Sequence, residues 1–305
     1  MCIRDSIIRA PQTFSTNPLS TSEFTGNFSG KAHNGVVTVP VAGHATQEKW
    51  NLLGNPYPSA IHADKFLASS INPGLEGTIY IWTHNTPLDP VPNSEGFYNY
   101  APNDYAVYNA LGGTGTSSAV NFDGYIAAGQ SFFIKGNTNG DATFNNSMRV
   151  ALHNSQFLRT SNTAQATAEM NRIWLNLTNT QNGFNQTLIG YVEGATNGID
   201  RDFDGEVFGG NAVTFYSIAS QKNLSIQGRA LPFNETDIVD LGYKTTAAGT
   251  LKISLANFDG IFTNQAVYLE DKALNIIHNL KASDYEFTSA VGTCLLYTSP
   301  SPRDA

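Results

Sequence analysis

Cysteine is nearly missing from this chain: its 305 residues hold two, Cys2 and Cys294. One pair at the two ends provides no disulfide framework, and its scarcity suits an exported protein that dispenses with disulfides as well as a cytosolic one. Charge is scarce too. Lys, Arg, Asp and Glu make up 14% of the residues, with 17 basic against 25 acidic side chains and a net charge of −8. Helical bundles need far more Glu, Lys and Arg on their solvated faces, so the composition does not suit one. The acidic balance and the lack of any basic cluster argue against nucleic acid as a partner, because that affinity rests on Lys and Arg meeting phosphates. No apolar run approaches the length needed to cross a bilayer, so no membrane insertion is expected. The histidines, at 33, 44, 62, 84, 153 and 278, contain no i, i+4 pair, so no zinc motif is present. A Gly-x-Ser-x-Gly nucleophile elbow is missing as well.

Gly, Asn, Thr, Ser and aromatics fill the space that charge leaves, a composition suited to many short strands joined by tight turns. The fold class expected is all-β, with two antiparallel β-sandwich-like domains, the second immunoglobulin-like. The first, 7–159, reads as β-sandwich or jelly-roll-like with one short helix over 60–69 that Ser59 is placed to cap. Its strands include Gly35–Val41, Trp50–Leu53, Gly77–Thr83 and Tyr105–Tyr108. Tyr125–Lys135 reads as one long strand bent at Gly129. Residues 160–170 are small and polar and form the linker. In the second domain, 171–293, Ile173, Leu175 and Leu177 alternate with polar or large partners, as do Leu251, Ile253 and Leu255. Period-two alternation of this kind puts one face on a core and leaves the other wet. No β-α-β rhythm appears.

The two ends read differently. Residues 1–6 and 294–305 resemble translated sequencing-adapter sequence, which belongs outside fold reasoning. Both cysteines then drop out, while losing Arg4, Asp5, Arg303 and Asp304 leaves the net charge at −8. The expectation is an incomplete piece whose true termini lie elsewhere.

The segment Trp50-Asn51-Leu52-Leu53-Gly54-Asn55-Pro56-Tyr57-Pro58-Ser59, then Ile79–Trp82 and Ile126–Phe133, then Gly190–Val192, Asp200–Gly210, Leu269–Lys272 and Tyr285–Thr288, form an ordered series. Together they resemble the region just upstream of the C-terminal sorting domain in cargo proteins of the type IX secretion system of Bacteroidetes. The resemblance implies a location, secreted or at the outer cell surface, and no activity.

Four acidic residues form the sharpest local motif. Asp200, Asp202 and Asp204, followed by Gly205 and Glu206, place carboxylates at alternate positions before a turn glycine, the first half of a calcium loop. Three close carboxylates repel one another unless a cation sits among them, so one structural Ca²⁺ is the cofactor expected here. The other reading is a solvated acidic turn with Arg201 as partner, and Asn211 stands where the bidentate Glu of a full loop belongs. Leu111–Thr116 lacks the Lys and helix of a phosphate loop and reads as a connection. Paired carboxylates for glycoside cleavage meet only in space; Glu95, Asp104 and Asp123 lie in aromatic-rich surroundings. Tyr80, Trp82, Tyr98, Tyr100 and Tyr105 crowd into a low-charge stretch, and an exposed strip of them would stack on sugar rings; the plainer reading makes most of them core.

The function expected is non-catalytic: an extracellular spacer or adhesion module with weak binding of extracellular glycans or surface polymers. The alternative is an accessory, or itself catalytic, part of a secreted polysaccharide-acting hydrolase.

Overall fold

The computed structural model describes residues 30–83, 89–90, 98–99, 105–117, 120–154, 170–181, 183–209 and 212–299. In chain order the first unit contains β1 (Val37–Val41), β2 (Trp50–Gly54), β3 (Ile61–His62), α1 (Ala63–Leu67), β4 (Leu75–Trp82), β5 (Asp89–Pro90), β6 (Tyr98–Asn99) and β7 (Tyr105–Asn109). It continues through β8 (Gly112–Gly113), β9 (Gly115–Ser117), β10 (Val120–Asn121), β11 (Tyr125–Ile126), β12 (Ser131–Gly136) and β13 (Gly140–Phe144). The second unit runs through β14 (Asn171–Asn179), β15 (Phe184–Val192), β16 (Gly205–Glu206), β17 (Val213–Ala219), β18 (Lys222–Ala230) and β19 (Val239–Thr245). It ends with β20 (Gly249–Phe258), β21 (Tyr268–Asp271), β22 (Ile276–Asn279), β23 (Tyr285–Ser289) and β24 (Gly292–Ser299). The protein is all-β and sandwich-like, as its composition and alternation require.

A five-stranded sheet of order β2-β12-β4-β7-β8 is the main layer of the first unit. Its inner face sends Leu53, Phe132, Ile134, Ile79 and Ile81 into a core closed from the other side by Phe66 of α1 and Phe144 of β13. The Asn55-Pro56-Tyr57-Pro58 turn is held by one buried side chain. Asn55 donates to the carbonyls of Ser59, Ile126 and Ala127 and accepts from the Tyr57 N–H. The helix is shorter than the expected 60–69 segment. Ile61–His62 pairs with β11 instead, so the helix starts only at Ala63, and His62 Nδ1 takes the capping role over the Asp64 N–H. Ser59 is occupied elsewhere, accepting from Arg149 Nε. The long bent strand resolves into two, β11 and β12, separated by Gly129 at φ 73°. That left-handed conformation is one glycine adopts freely.

In the second unit a single sheet wraps round its own core, in the order β22-β21-β24-β19-β17-β18-β15-β14-β20-β23, with β16 beside β18. Leu175, Leu177, Phe215, Leu241, Ile253 and Leu269 meet inside it. One neighbouring pair departs from the antiparallel rule: β15 and β18 run parallel. Parallel neighbours need a crossover longer than a hairpin, and here residues 193–221 supply it, carrying the acidic loop, β16 and β17. Residues 294–299, read from sequence as adapter-like, extend β24, whose backbone pairs with β19 and β21.

A third cluster joins the two units. Tyr80, Val107 and Leu111 of the first pack against Trp174, Leu188 and Ile226 of the second. Polar contacts reinforce it. Trp174 Nε1 donates to the Gly113 carbonyl and Arg172 to the Leu111 carbonyl, while the Gln186 side chain accepts from Gly115 N–H. Gly77 must be glycine at this seam. An added Cβ would collide with the Arg201 carbonyl, which accepts the Gly77 N–H at 3.1 Å.

Candidate ligand-binding face and charged cleft

Alternation along the five-stranded sheet sorts its residues onto two faces. The face opposite the core carries Trp50 and Leu52 from β2, Phe133 and Lys135 from β12, Glu76, Thr78, Tyr80 and Trp82 from β4, and Tyr105 and Val107 from β7. The second unit covers part of it. Thr78 donates to the Asp204 carbonyl and Tyr80 to the Glu206 carbonyl at 2.9 Å, while Gly205 lies against Thr78 and Val107. The remainder stays open: Leu52 is 61% and Trp82 38% exposed, and Phe133 and Tyr105 are half-buried. Cross-strand register places Phe133 opposite Leu52 and Trp82 opposite Tyr105, so the open residues form one apolar platform.

Phe208 sits at the boundary of the covered and open areas. Its ring centroid lies 4.5 Å from Trp50, 4.7 Å from Tyr105, 4.9 Å from Tyr80 and 5.6 Å from Phe133. Spacings of this order are those of attractive aromatic packing.

The five candidate aromatics therefore separate. Tyr80 is buried at the seam, at 1% exposure, and burial holds its phenol well above the usual range. Trp82 and Tyr105 reach the open platform together. Tyr98 lies in the β5-β6 ribbon, paired through its backbone with Pro90, and Tyr100 lies outside the described residues. Leu52 and Phe133 complete the platform; sequence gave no reason to choose them over any other apolar strand residue. Of the three carboxylates in aromatic-rich sequence, Glu95 and Asp104 also lie outside the described residues. Asp123 sits near His62 and His153, away from the platform, with burial raising its pKa.

Where the same sheet face meets the second unit, a cleft of about 380 Å³ opens, lined among others by Glu48, Glu76, Lys135, Asn137, Glu206 and Lys222. Lys135 stands at its centre with a side chain only 6% exposed, bridging Glu48 at 3.0 Å and Glu206 at 2.7 Å. Burial alone would lower the Lys135 pKa, but its bonds to Glu206 and Glu48 outweigh that and hold it above the usual lysine value. Glu206 is also buried, which would raise it, yet Lys135 on one oxygen and Lys222 on the other hold it below the usual carboxylate value. Glu76 differs. It has no hydrogen-bond or ion-pair partner among the described residues, and burial raises its pKa.

The acidic loop lies behind this cleft, and its carboxylates face different partners. Asp200 accepts from the Thr196 N–H and hydroxyl, and Asp202 pairs with Arg201. Asp204 accepts the Asp200 N–H at 2.6 Å and the Gly228 N–H at 2.8 Å, and burial nevertheless raises its pKa to about 6. Glu206 is held by the two lysines. Among the described residues no group of three or more His, Cys, Asp or Glu side chains is placed to hold a metal ion. Arg201 gives the loop its role in the fold: its guanidinium donates to the carbonyls of Leu75, Leu67 and Asn72 in the first unit. The loop's carboxylates are thus engaged by N–H groups, lysines and Arg201, and calcium would have to compete with those contacts. If the protein contacts prevail, millimolar Ca²⁺ shifts the melting temperature by less than about 1 °C, as linkage requires for a site that the cation does not fill. A rise of several degrees that Asp202→Ala abolishes would support the calcium assignment.

No curated protein and no solved structure matches the chain. Among the described residues no helix is long and apolar enough to cross a membrane. The model of a family described as a domain of unknown function, DUF8693, matches residues 4–295, and the chain belongs to that family.

Proposed function

We propose that this chain is a non-catalytic extracellular module that holds glycans or surface polymers weakly on the open platform of its first unit, while the second unit serves as a rigid support. The observation that carries this reading is the platform itself: Leu52, Phe133, Trp82 and Tyr105 lie together, Leu52 and Trp82 exposed and the other two half-buried, beside a cleft rich in hydrogen-bonding groups. Apolar and aromatic faces suit the C–H surfaces of sugar rings, and neighbouring polar groups suit their hydroxyls. The packed and hydrogen-bonded seam supports the spacer role, since a module that presents or links has to transmit position from end to end. Secretion or attachment at the outer surface is proposed on the resemblance to type IX cargo.

Titrating the full chain with a panel of soluble polysaccharides tests this. Trp82→Ala should weaken binding about tenfold, because losing one stacked ring removes roughly 1–2 kcal/mol. A panel without any binder would overturn the reading.

One observation favours a second reading, an accessory or catalytic part of a polysaccharide-acting hydrolase. Glu76, biased toward its protonated form, and Glu206, biased toward its ionised form, share one cleft, the division of labour that glycoside cleavage needs. Both Glu206 oxygens are already held by lysines, which leaves neither free to attack a sugar. Shortened products from any polysaccharide in the panel would favour the hydrolase.

A further inference from the structure

We propose that the cleft beside the platform binds the primary ammonium group of an amino-sugar glycan, with Glu76 as its carboxylate partner. This rests on the glycan reading above and names the class of sugar.

The inference starts from which charges are already satisfied. The charged groups that act on the Glu76 carboxyl are Lys135 from β12, Glu206 from β16, Lys222 from β18 and Glu48 from the segment before β2. Lys135 is shared between Glu48 and Glu206, and Lys222 pairs with Glu206. Lys135 and Lys222 are thus committed to Glu48 and Glu206, and Glu76 is left without an ion pair; Lys49, which also lines the cleft, makes no ion pair with any of the three carboxylates. The Glu76 carboxylate is half-buried and without a protein partner among the described residues. A desolvated, unpaired acid is an unfavourable arrangement that a ligand cation would relieve. A neutral sugar would leave it as it is, and an anionic group placed against it would be repelled.

Position ties this acid to the platform. Glu76, Thr78, Tyr80 and Trp82 follow one another on the same face of β4, so Glu76 and Trp82 stand about 20 Å apart along the strand. The second unit covers Thr78 and Tyr80 between them, so an oligosaccharide joining the two would pass over β12 and β2, stacking near Trp82 and Tyr105 at one end and delivering an amine to the cleft at the other. Phe208 and the side chain of Trp50 border the path between them. The cleft remains open to solvent at Lys222, whose side chain is 49% exposed.

The charge state gives a directional consequence. An ammonium prefers the ionised form of Glu76, whose pKa burial places above its ordinary value. Affinity should rise with pH through the Glu76 titration and fall again only when the ligand's own amine loses its proton.

Calorimetric titration of the full chain with chitosan oligosaccharides, with their fully N-acetylated chitin counterparts and with oligolysine tests the proposal. The free amine form should bind about tenfold tighter than the acetylated form, the size expected for a hydrogen bond to a charged group. Glu76→Gln should erase that preference and flatten the pH dependence. Because the Glu76 side chain makes no hydrogen bond or ion pair among the described residues, the variant should melt close to the wild-type temperature. Trp82→Ala should weaken both sugars alike. Equal affinity for the amine and acetylated forms would overturn the proposal while leaving the glycan reading intact. Oligolysine binding as tightly as chitosan, and indifferent to Trp82→Ala, would overturn it in favour of a peptide site. If neither sugar binds, this proposal and the glycan reading fall together.

Discussion

Arg201→Ala should lower the melting temperature of the full chain by about 10 °C and split one transition into two. The guanidinium reaches out of the 200–206 loop of the second unit and donates to three carbonyls of the first: Leu75 at 2.8 Å, and Leu67 and Asn72 each at 3.1 Å. Those carbonyls lie around the end of α1 and the start of β4, and that of Asn72 also accepts the Leu75 N–H. Removing the shared donor costs three hydrogen bonds from a charged group, roughly 1 kcal/mol each and about 3 kcal/mol together. The charge-bearing loop loses its anchor as well, because Asp202 is left without its cation. The split follows from position. Arg201 contributes to the seam rather than to either core, so its loss uncouples units that otherwise melt together. A single unshifted transition by calorimetry would contradict the clasp. Arg201→Lys, with one nitrogen in place of a planar fork, should recover only a minor part of the loss.

A larger loss is expected within the second unit. Asp237→Ala should cost about 3–5 kcal/mol, because it leaves a buried guanidinium without its counter-charge. Arg229 is 9% exposed and donates through Nε and Nη2 to Asp237, and Tyr191 donates its hydroxyl to the same carboxylate at 2.8 Å. The arrangement pins β18 to the loop before β19, and burial together with the neighbouring carboxylate drives the Tyr191 phenol far above its usual range. Asp237→Asn retains an acceptor but loses the charge and should fall between wild type and Ala. Urea unfolding monitored by circular dichroism reads the difference directly. A loss below about 1 kcal/mol for Asp237→Ala would mean that water reaches Arg229 and that the pair lies effectively at the surface.

Much of this architecture is legible in the alternation of apolar residues. Ile173, Leu175 and Leu177 identify the core-facing row of β14, and Leu251 and Ile253 that of β20, because a sheet with one dry face needs period two. Alternation says which way side chains point, not which way a neighbour runs, so the parallel pairing of β15 with β18 is invisible to it. Ile61–His62 illustrates a different limit: both residues fit a helix, and only their pairing with β11, far along the chain, makes them strand. For the site, Tyr80 and Trp82 lie on one face and are equivalent by spacing. What separates them is a second unit whose contact, the Glu206 carbonyl, lies 126 residues away. The acidic motif is similar. Its spacing correctly marks a tight polar turn, but the partners of Asp204 and Arg201 come from β18 and the first unit. Glu76 carried a readable signal, since it sits four residues before Tyr80 on the same face, yet a lone acid in a strand draws no notice until its neighbours are known to be paired.

The open platform is the centre of the functional account, and Trp82 reports on it. The chain has three tryptophans; Trp174 is buried at 7% exposure, Trp50 is half-buried against Phe208, and Trp82 is 38% exposed. Acrylamide quenching of tryptophan emission, with and without a glycan found to bind, tests the claim most directly. Ligand should protect the readily quenched fraction in wild type, and that fraction should vanish in Trp82→Phe, which retains a ring and therefore most of the binding. Binding that leaves the quenching of Trp82 unchanged would place the ligand elsewhere and contradict the account.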